Sequence, residues 1–226
     1  EIFIRNKNKV TSKVISLKQI KNQKIGLKKK INEDLKKIIS SRGTFDSTNI
    51  MGILNMTPDS FSDGGKFNTS RTAFKQINLM IKSGANIIDI GGESTRPGSV
   101  TILPHHEWIR IRDVIKKFKK KYPKILLSID TRKSQIMSKS LKYKSDIIND
   151  VSSFNFDNQS IEIIRKHSIW KIIHHMQGTP QTMQKNPKYN NVLLDIYDFF
   201  EHKINNQFKK GKLSKKIILD PGIGFG

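Results

Sequence analysis

The sequence predicts an α/β protein, and within that class a (β/α)8 TIM barrel, on three observations. From residue 49 onward, short runs rich in Ile, Leu and Val recur, nearly unbroken in apolar character, as expected of strands covered on both faces. Helical apolar spacing separates them, which is the rhythm of βα units joined by right-handed crossovers. Polar residues fall where the runs end: Asn55, Asp89 and Glu93, Asp130, Asn149, His175 and Asp220. A doubly wound sheet concentrates its site at one switch point, whereas a barrel gathers every strand end around one mouth. Polar groups at six successive strand ends favour the barrel.

Residues 1–48 read differently from the rest. Leu27, Ile31, Leu35 and Ile38 mark an amphipathic helix with a lysine-rich polar face. The segment before it is ambiguous between strand and helix. This basic N-terminal extension is a linker, an appendage or the tail of an upstream domain. A targeting segment is disfavoured, because the stretch is Lys-rich and carries Glu33 and Asp34.

Residues 49–226 form the predicted barrel domain. Its strands are Ile50–Asn55, Ile87–Gly91, Ile125–Asp130, Asp146–Val151, Trp170–Met176 and Ile217–Asp220. Phe74, Ile77, Met80 and Ile81 define one helix, with Ser70 fitting its N-cap. Trp108, Ile111, Ile115 and Phe118 define a second, and Val192, Ile196, Phe199, Phe200 and Ile204 a third. Gly226 follows closely on the sixth strand. About six βα units are therefore expected, with the barrel truncated at its C-terminus and a segment expected before Glu1.

The 226 residues can bury a sizeable core. No apolar run is long enough to span a bilayer. The absence of cysteine removes disulfides, thiolate metal sites and a thiol nucleophile, and agrees with a reducing, cytoplasmic setting. The formal charge of +23 suits either an anionic partner or a lysine-rich solvated surface. Distribution favours the surface reading. Residues 1–49 hold thirteen Lys/Arg against four Asp/Glu, while residues 50–100, with the polar loops, hold five against four.

Asp130 ends Ile-Leu-Leu-Ser-Ile-Asp, Asp220 ends Ile-Ile-Leu-Asp, and Asn149 lies in Ile-Ile-Asn-Asp. Two carboxylates and an amide at one mouth suit a flat heterocycle with a donor–donor–acceptor edge, such as a guanine-like or pterin-like ring. The competing reading is that each Asp caps the next helix. Residues 57–65 are dense in turn formers and fit a mobile lid. In Glu93-Ser-Thr-Arg-Pro-Gly98, proline biases Arg96 toward extended backbone, where Thr95 and Arg96 could hold an anion. Pro221-Gly-Ile-Gly-Phe-Gly226 resembles a phosphate cradle, weakly, since no Lys-Ser/Thr follows. His174 and His175 are adjacent on a strand and point to opposite faces, so they cannot chelate together.

On MGILNMTPDSFSDGG, IDIGGESTRPGS, SIDTRK, IINDVSS, HHMQGTPQTMQ and ILDPGIGFG, the chain from about 49 to 226 resembles the dihydropteroate synthase family of folate biosynthesis. The resemblance implies a TIM barrel. It implies a transferase that couples 6-hydroxymethyl-7,8-dihydropterin diphosphate to p-aminobenzoate by an SN1-like route, releasing diphosphate. It further implies that Asp130, Asn149 and Asp220 grip the pterin with Met176 packing near it, and that Asn55 helps hold Mg²⁺ on the diphosphate. Thr95 then contacts diphosphate oxygens, Phe61, Arg96 and Pro97 surround the aminobenzoate ring, and Asp63 lies close to the incoming amine. A homodimer and a fusion to another folate-pathway domain are the expected assemblies, with neither nucleic acid nor membrane as partner. The family's later Ser-Arg-Lys-Ser and Arg-x-His stretches do not occur here, so the 226 residues alone are expected to be unstable and inactive.

The runner-up is a methyltetrahydrofolate-dependent methyltransferase of the same pterin-binding fold, which does not need the 57–65 and 93–99 loops. A basic nucleic-acid-binding module requires aromatic and basic residues interleaved on one face, and no such pattern occurs. A non-catalytic paralogue has no reason to keep both loops intact.

Overall fold

The structure, a computed structural model, describes residues 2–6, 9–40, 45, 47–57, 70–94, 99–179, 181–209 and 215–225. The chain divides into two compact units, Glu1–Thr48 and Asn49–Gly226. In the first, β1 (Ile2–Asn6) and β2 (Lys9–Lys13) form an antiparallel hairpin with Ile2 opposite Lys13. A 3-10 turn (Leu17–Asn22) and helix α1 (Ile25–Ile39) follow. Leu27, Ile31 and Leu35 are half-buried on one face of α1, as their helical spacing predicts. The ambiguous segment ahead of α1 thus holds both a strand pair and a short 3-10 turn.

The second unit is built on six parallel strands: β3 (Met51–Asn55), β4 (Ile87–Gly91), β5 (Leu126–Asp130), β6 (Ile147–Asp150), β7 (Trp170–His174) and β8 (Ile217–Asp220). Their order in the sheet is their order in sequence. A sheet that always advances in one direction has no switch point, which sets it apart from a doubly wound sheet and gives the barrel topology.

Between the strands run α2 (Ser70–Lys82), α3 (Pro104–Lys121), α4 (Ser134–Leu141), α5 (Ser160–Arg165) and α6 (Val192–Lys203). Ser70 is the first helical residue of α2 rather than its cap. Pro104 opens α3 at a position where a missing N–H costs nothing, and Lys119, Lys120 and Lys121 sit at its negative end. The Asn191 side chain caps α6 by accepting from Leu194 N–H at 3.2 Å. The helix continues into a π turn (Ile204–Phe208), so Ile204, expected on the α-helix, begins that turn instead, and Phe208 is seated edge-on to Phe154.

Strand register divides the side chains into two sets. Leu54, Ile88, Ile90, Leu127, Ile129, Ile148 and Ile173 occupy one face and are fully buried. They form one core with Phe74 and Ile77 of α2, Ile111, Ile115 and Phe118 of α3, Ile136 and Met137 of α4, and Phe200 of α6. Asp150 and Lys171 are also buried on that face, while the opposite face carries Asn55, Asp89, Ser128, Asp130, Asn149, His174 and Asp220.

A buried ionic cluster ties the segment after β4 to the segment after β5. Glu93 accepts from Arg132 Nη2 at 2.8 Å and pairs with Lys133 Nζ at 2.9 Å. Lys133 Nζ also reaches Glu107 Oε2 at 2.6 Å, and the Thr131 hydroxyl donates to Glu107 Oε1 at 2.6 Å. Ile102 N–H donates to Glu93 Oε1 at 2.9 Å, so Glu93 holds a residue nine positions further along the chain. The four charged side chains are at most 9% exposed, and their charges balance. Burial opposes ionisation of Glu93, but Arg132 and Lys133 outweigh it and hold the carboxyl below its usual value.

Two outcomes follow for stability, both read by urea denaturation. Phe118→Ala is expected to cost about 3–5 kcal/mol, because a fully buried aromatic leaves a cavity. Lys133→Met is expected to cost about 3–5 kcal/mol, because Glu93 and Glu107 lose their shared cation while staying buried.

Candidate functional site

The face opposite the apolar core gathers the polar residues through register alone. Asn55 pairs with Gly91, Gly91 with Asp130, and Asp130 with Asn149, so four neighbouring strands present these positions in one layer. Asp89 lies two residues before Gly91, beside Ser128. His174 pairs with Asp220 at the ends of β7 and β8. Parallel neighbours in register point the same way, and residues two apart on a strand share a face. Asn55, Asp89, Asp130, Asn149, His174 and Asp220 therefore all share one face.

Asn149 Nδ2 reaches across β5 to Asp89 Oδ2 at 3.0 Å. Asp89 Oδ1, Asn149 Oδ1 and the Ser128 hydroxyl are buried without a well-formed hydrogen bond among the described residues, although Ser128 lies close enough to act on the Asp89 carboxyl. Buried acceptors without donors are costly, so this floor is set up for a ligand that brings N–H groups. Burial raises the Asp89 carboxyl above its usual value, against the pull of its hydrogen bonds. Asp130 is pushed well above its usual value, first by burial and then by the nearby Asp89, Glu107, Asp150 and Glu93 carboxylates. Crowded carboxylates that resist ionisation are what a ring rich in N–H donors relieves.

No side chain occupies the space at Gly91. A Cβ there would lie 3.1 Å from Asp130 Oδ2, so the glycine leaves the carboxylate open on its β4 side. Asp220 stands two strands from Asn149 and is bound differently: its Oδ1 accepts from Gly222 N–H at 2.9 Å. Phe225 N–H is likewise occupied by the Gly222 carbonyl at 2.8 Å. These two amides of the predicted phosphate cradle are thus engaged within the turn. Gly222 adopts a φ of +70°, and a Cβ at that position would collide with the His175 carbonyl, so the turn needs glycine for close packing.

The histidines exchange roles relative to the sequence reading. His175, expected at the strand-end rim, lies beyond β7 and packs edge-on to Phe199 of α6 at 5.0 Å. His174 is the residue on the polar face, because the register of β7 fixes which of two adjacent side chains points there. Beside this face lies a cavity of about 350 Å³, lined in part by Arg132, Val151, Phe156, His174, Met176 and Phe199. Met176 takes part as an apolar wall. Arg132 stacks over Phe156 at 4.2 Å and bonds to Glu93. Its role was missed in sequence, as was the Asp89–Asn149 contact.

Of the predicted site residues, Asn55, Asp130, Asn149, Met176 and Asp220 are placed as described. Phe61, Asp63, Thr95, Arg96 and Pro97 lie outside the described residues. Among the described residues no group of three or more His, Cys, Asp or Glu is arranged to hold a metal ion. A Mg²⁺ held mainly by substrate phosphate oxygens, with one or two protein ligands, needs no such group. Asn55 offers a hard carbonyl oxygen at the end of β3, which fits that limited part. No helix among the described residues is long and apolar enough to cross a membrane.

Comparison with known proteins places this geometry in a lineage. The sequence model of the pterin binding enzyme family matches residues 51–226. The chain is 40% identical over 178 residues to a dihydropteroate synthase of Synechocystis sp., covering 79% of this chain and 61% of that protein. It is 41% identical over 177 residues to the Escherichia coli K12 dihydropteroate synthase, covering 78% and 62%. It therefore spans about three fifths of the length of these curated relatives. Among solved structures it resembles the Yersinia pestis dihydropteroate synthase in complex with a sulfonamide drug, with a TM-score of 0.74 and 37% identity over 83% of this chain and 68% of that one. It also resembles the Burkholderia cenocepacia dihydropteroate synthase complexed with 7,8-dihydropteroate, at a TM-score of 0.67 and 33% identity over 80% and 61%. With a family match covering nearly the whole of its six-stranded unit, the chain belongs to the pterin-binding enzymes.

Proposed function

We propose that this chain carries the pterin-binding residues of a dihydropteroate synthase. The reaction joins 6-hydroxymethyl-7,8-dihydropterin diphosphate to p-aminobenzoate: the bond from the pterin methylene to the diphosphate oxygen breaks, and a bond to the aromatic amine forms. The observation that carries this reading is the floor of buried acceptors at Asp89 and Asn149, one strand either side of the crowded Asp130. A pterin's amino and ring N–H groups meet those acceptors, and a protonatable carboxylate adjusts to whichever tautomer binds. The relatives at about 40% identity support the same choice.

Asp130, Asn149 and Asp220 are assigned to the ring, joined by Asp89 from beneath, with Met176 as an apolar wall. Positive charge develops on the methylene as diphosphate leaves, and a carboxylate-rich floor tolerates it. Asn55 is assigned to the Mg²⁺, which supplies charge neutralisation to the departing diphosphate. From the resemblance, Thr95 takes diphosphate oxygens, Phe61, Arg96 and Pro97 take the aminobenzoate ring, and Asp63 stands near the amine. A cytoplasmic location, a homodimer and a link to another folate-pathway domain belong to the same reading and rest on kinship alone.

Three outcomes are expected. Asp130→Asn weakens pterin binding by about 1.5–3 kcal/mol, roughly ten- to a hundredfold, measured by titration calorimetry; unchanged affinity would remove Asp130 from the pocket. Arg96→Ala raises KM for p-aminobenzoate more than KM for the pterin diphosphate, and equal effects would refute that division. The third concerns pH. The Asp130 carboxyl of the free protein is raised, so it holds a proton that the unfolded chain releases near the usual carboxylate value. A ligand offering N–H donors favours the ionised form, so pterin affinity should rise with pH through the raised value, with proton release on binding. The proton release, read by calorimetry in buffers of different ionisation enthalpy, should vanish in Asp130→Asn.

A further inference from the structure

We propose that His174 is a positioning residue for Asp220, fixing the carboxylate that the proposed function assigns to the ring. Three structural observations meet here. His174 and Asp220 are register partners on adjacent parallel strands, so their side chains leave the sheet on the same side. The imidazole Nε2 lies 3.9 Å from Asp220 Oδ2, while Gly222 N–H holds Oδ1 at 2.9 Å. The carboxylate thus has one oxygen fixed by backbone and the other facing the imidazole.

The ring itself is held fast. His174 is 4% exposed, and Phe225 meets it edge-on at 4.5 Å. Its own carbonyl accepts from the Ser153 hydroxyl, and the next peptide N–H, that of His175, donates to the Asp220 carbonyl at 2.8 Å. Nδ1 is buried without a well-formed hydrogen bond, leaving Nε2 as the nitrogen able to serve Asp220. Backbone holds only one oxygen of the Asp220 carboxylate, and a carboxylate at a strand end samples several rotamers unless a second group restrains it.

The groups that face the imidazole are the Asp220 carboxylate from β8, the neighbouring His175 on its own strand, the Val151 carbonyl from the turn after β6 and the Phe225 ring. Burial lowers its pKa below the ordinary histidine value, while Asp220 and the Val151 carbonyl pull it back up. Burial thus favours the neutral ring, which carries a single N–H; with that proton on Nε2, the ring presents a donor toward Asp220 and Nδ1 stays unprotonated beside the Val151 carbonyl.

This inference rests on the proposed pterin site, and the test separates the two. The affinity of a pterin lacking diphosphate is measured by calorimetry for the wild-type protein and for Asp220→Asn, His174→Leu and His174→Gln. In parallel, the His174 pKa is followed by NMR in wild type and Asp220→Asn. Expected are a loss of roughly tenfold in His174→Leu, near wild-type affinity in His174→Gln, whose amide still donates, and a lower His174 pKa in Asp220→Asn. Equal losses in the Leu and Gln variants would reduce His174 to packing and overturn the inference. So would wild-type affinity in His174→Leu, or a His174 pKa indifferent to Asp220. Wild-type protein that binds no pterin, or Asp220→Asn that binds it normally, would bring down the pterin reading and this inference with it.

Discussion

Alternation of side chains across a parallel strand is the constraint on which the rest of this structure depends. Because successive residues face opposite ways, Ile88 and Ile90 enter the core only if Asp89 and Gly91 point away from it. The same holds along β5, where Leu127 and Ile129 bury themselves and Ser128 and Asp130 cannot. Hydrophobic burial thus fixes the direction of the site residues. A slip of one residue in β5 would expose two large aliphatic side chains and move Asp130 against the helices.

Electrostatics separates into two regions with opposite designs. Around Glu93, two cations and two anions neutralise one another out of water, which anchors the segments entering and leaving the polar face. Beside it, Asp89 and Asp130 have no ion pair with a cation among the described contacts, and burial raises the pKa of both instead. The first arrangement is closed and structural. The second is open, and a ligand completes it.

The strands were legible because their apolar content is local: Ile87–Gly91 and Ile217–Asp220 lie where the sequence places them, and β3 and β5 each begin one residue later than expected. Helix α3 announced itself through Trp108, Ile111, Ile115 and Phe118. The short α4 and α5, of eight and six residues, carry too few turns for a period to emerge. The lysine-rich hairpin at the N-terminus lacks a clear alternation. Register was the deeper gap. Whether His174 or His175 faces the site depends on how β7 pairs with its neighbours, and no local pattern encodes that. The bonds Arg132–Glu93 and Asn149–Asp89 join residues 39 and 60 positions apart, contacts that one sequence cannot announce.

The charge-balanced quartet of Glu93, Glu107, Arg132 and Lys133 also bears on how this lineage can drift. Replacing any one member strands an opposite charge in a dry interior, so the four positions form a ratchet that single substitutions rarely pass. Descendants that differ here should have exchanged partners together, leaving a signature of paired replacements between segments that are distant in the gene.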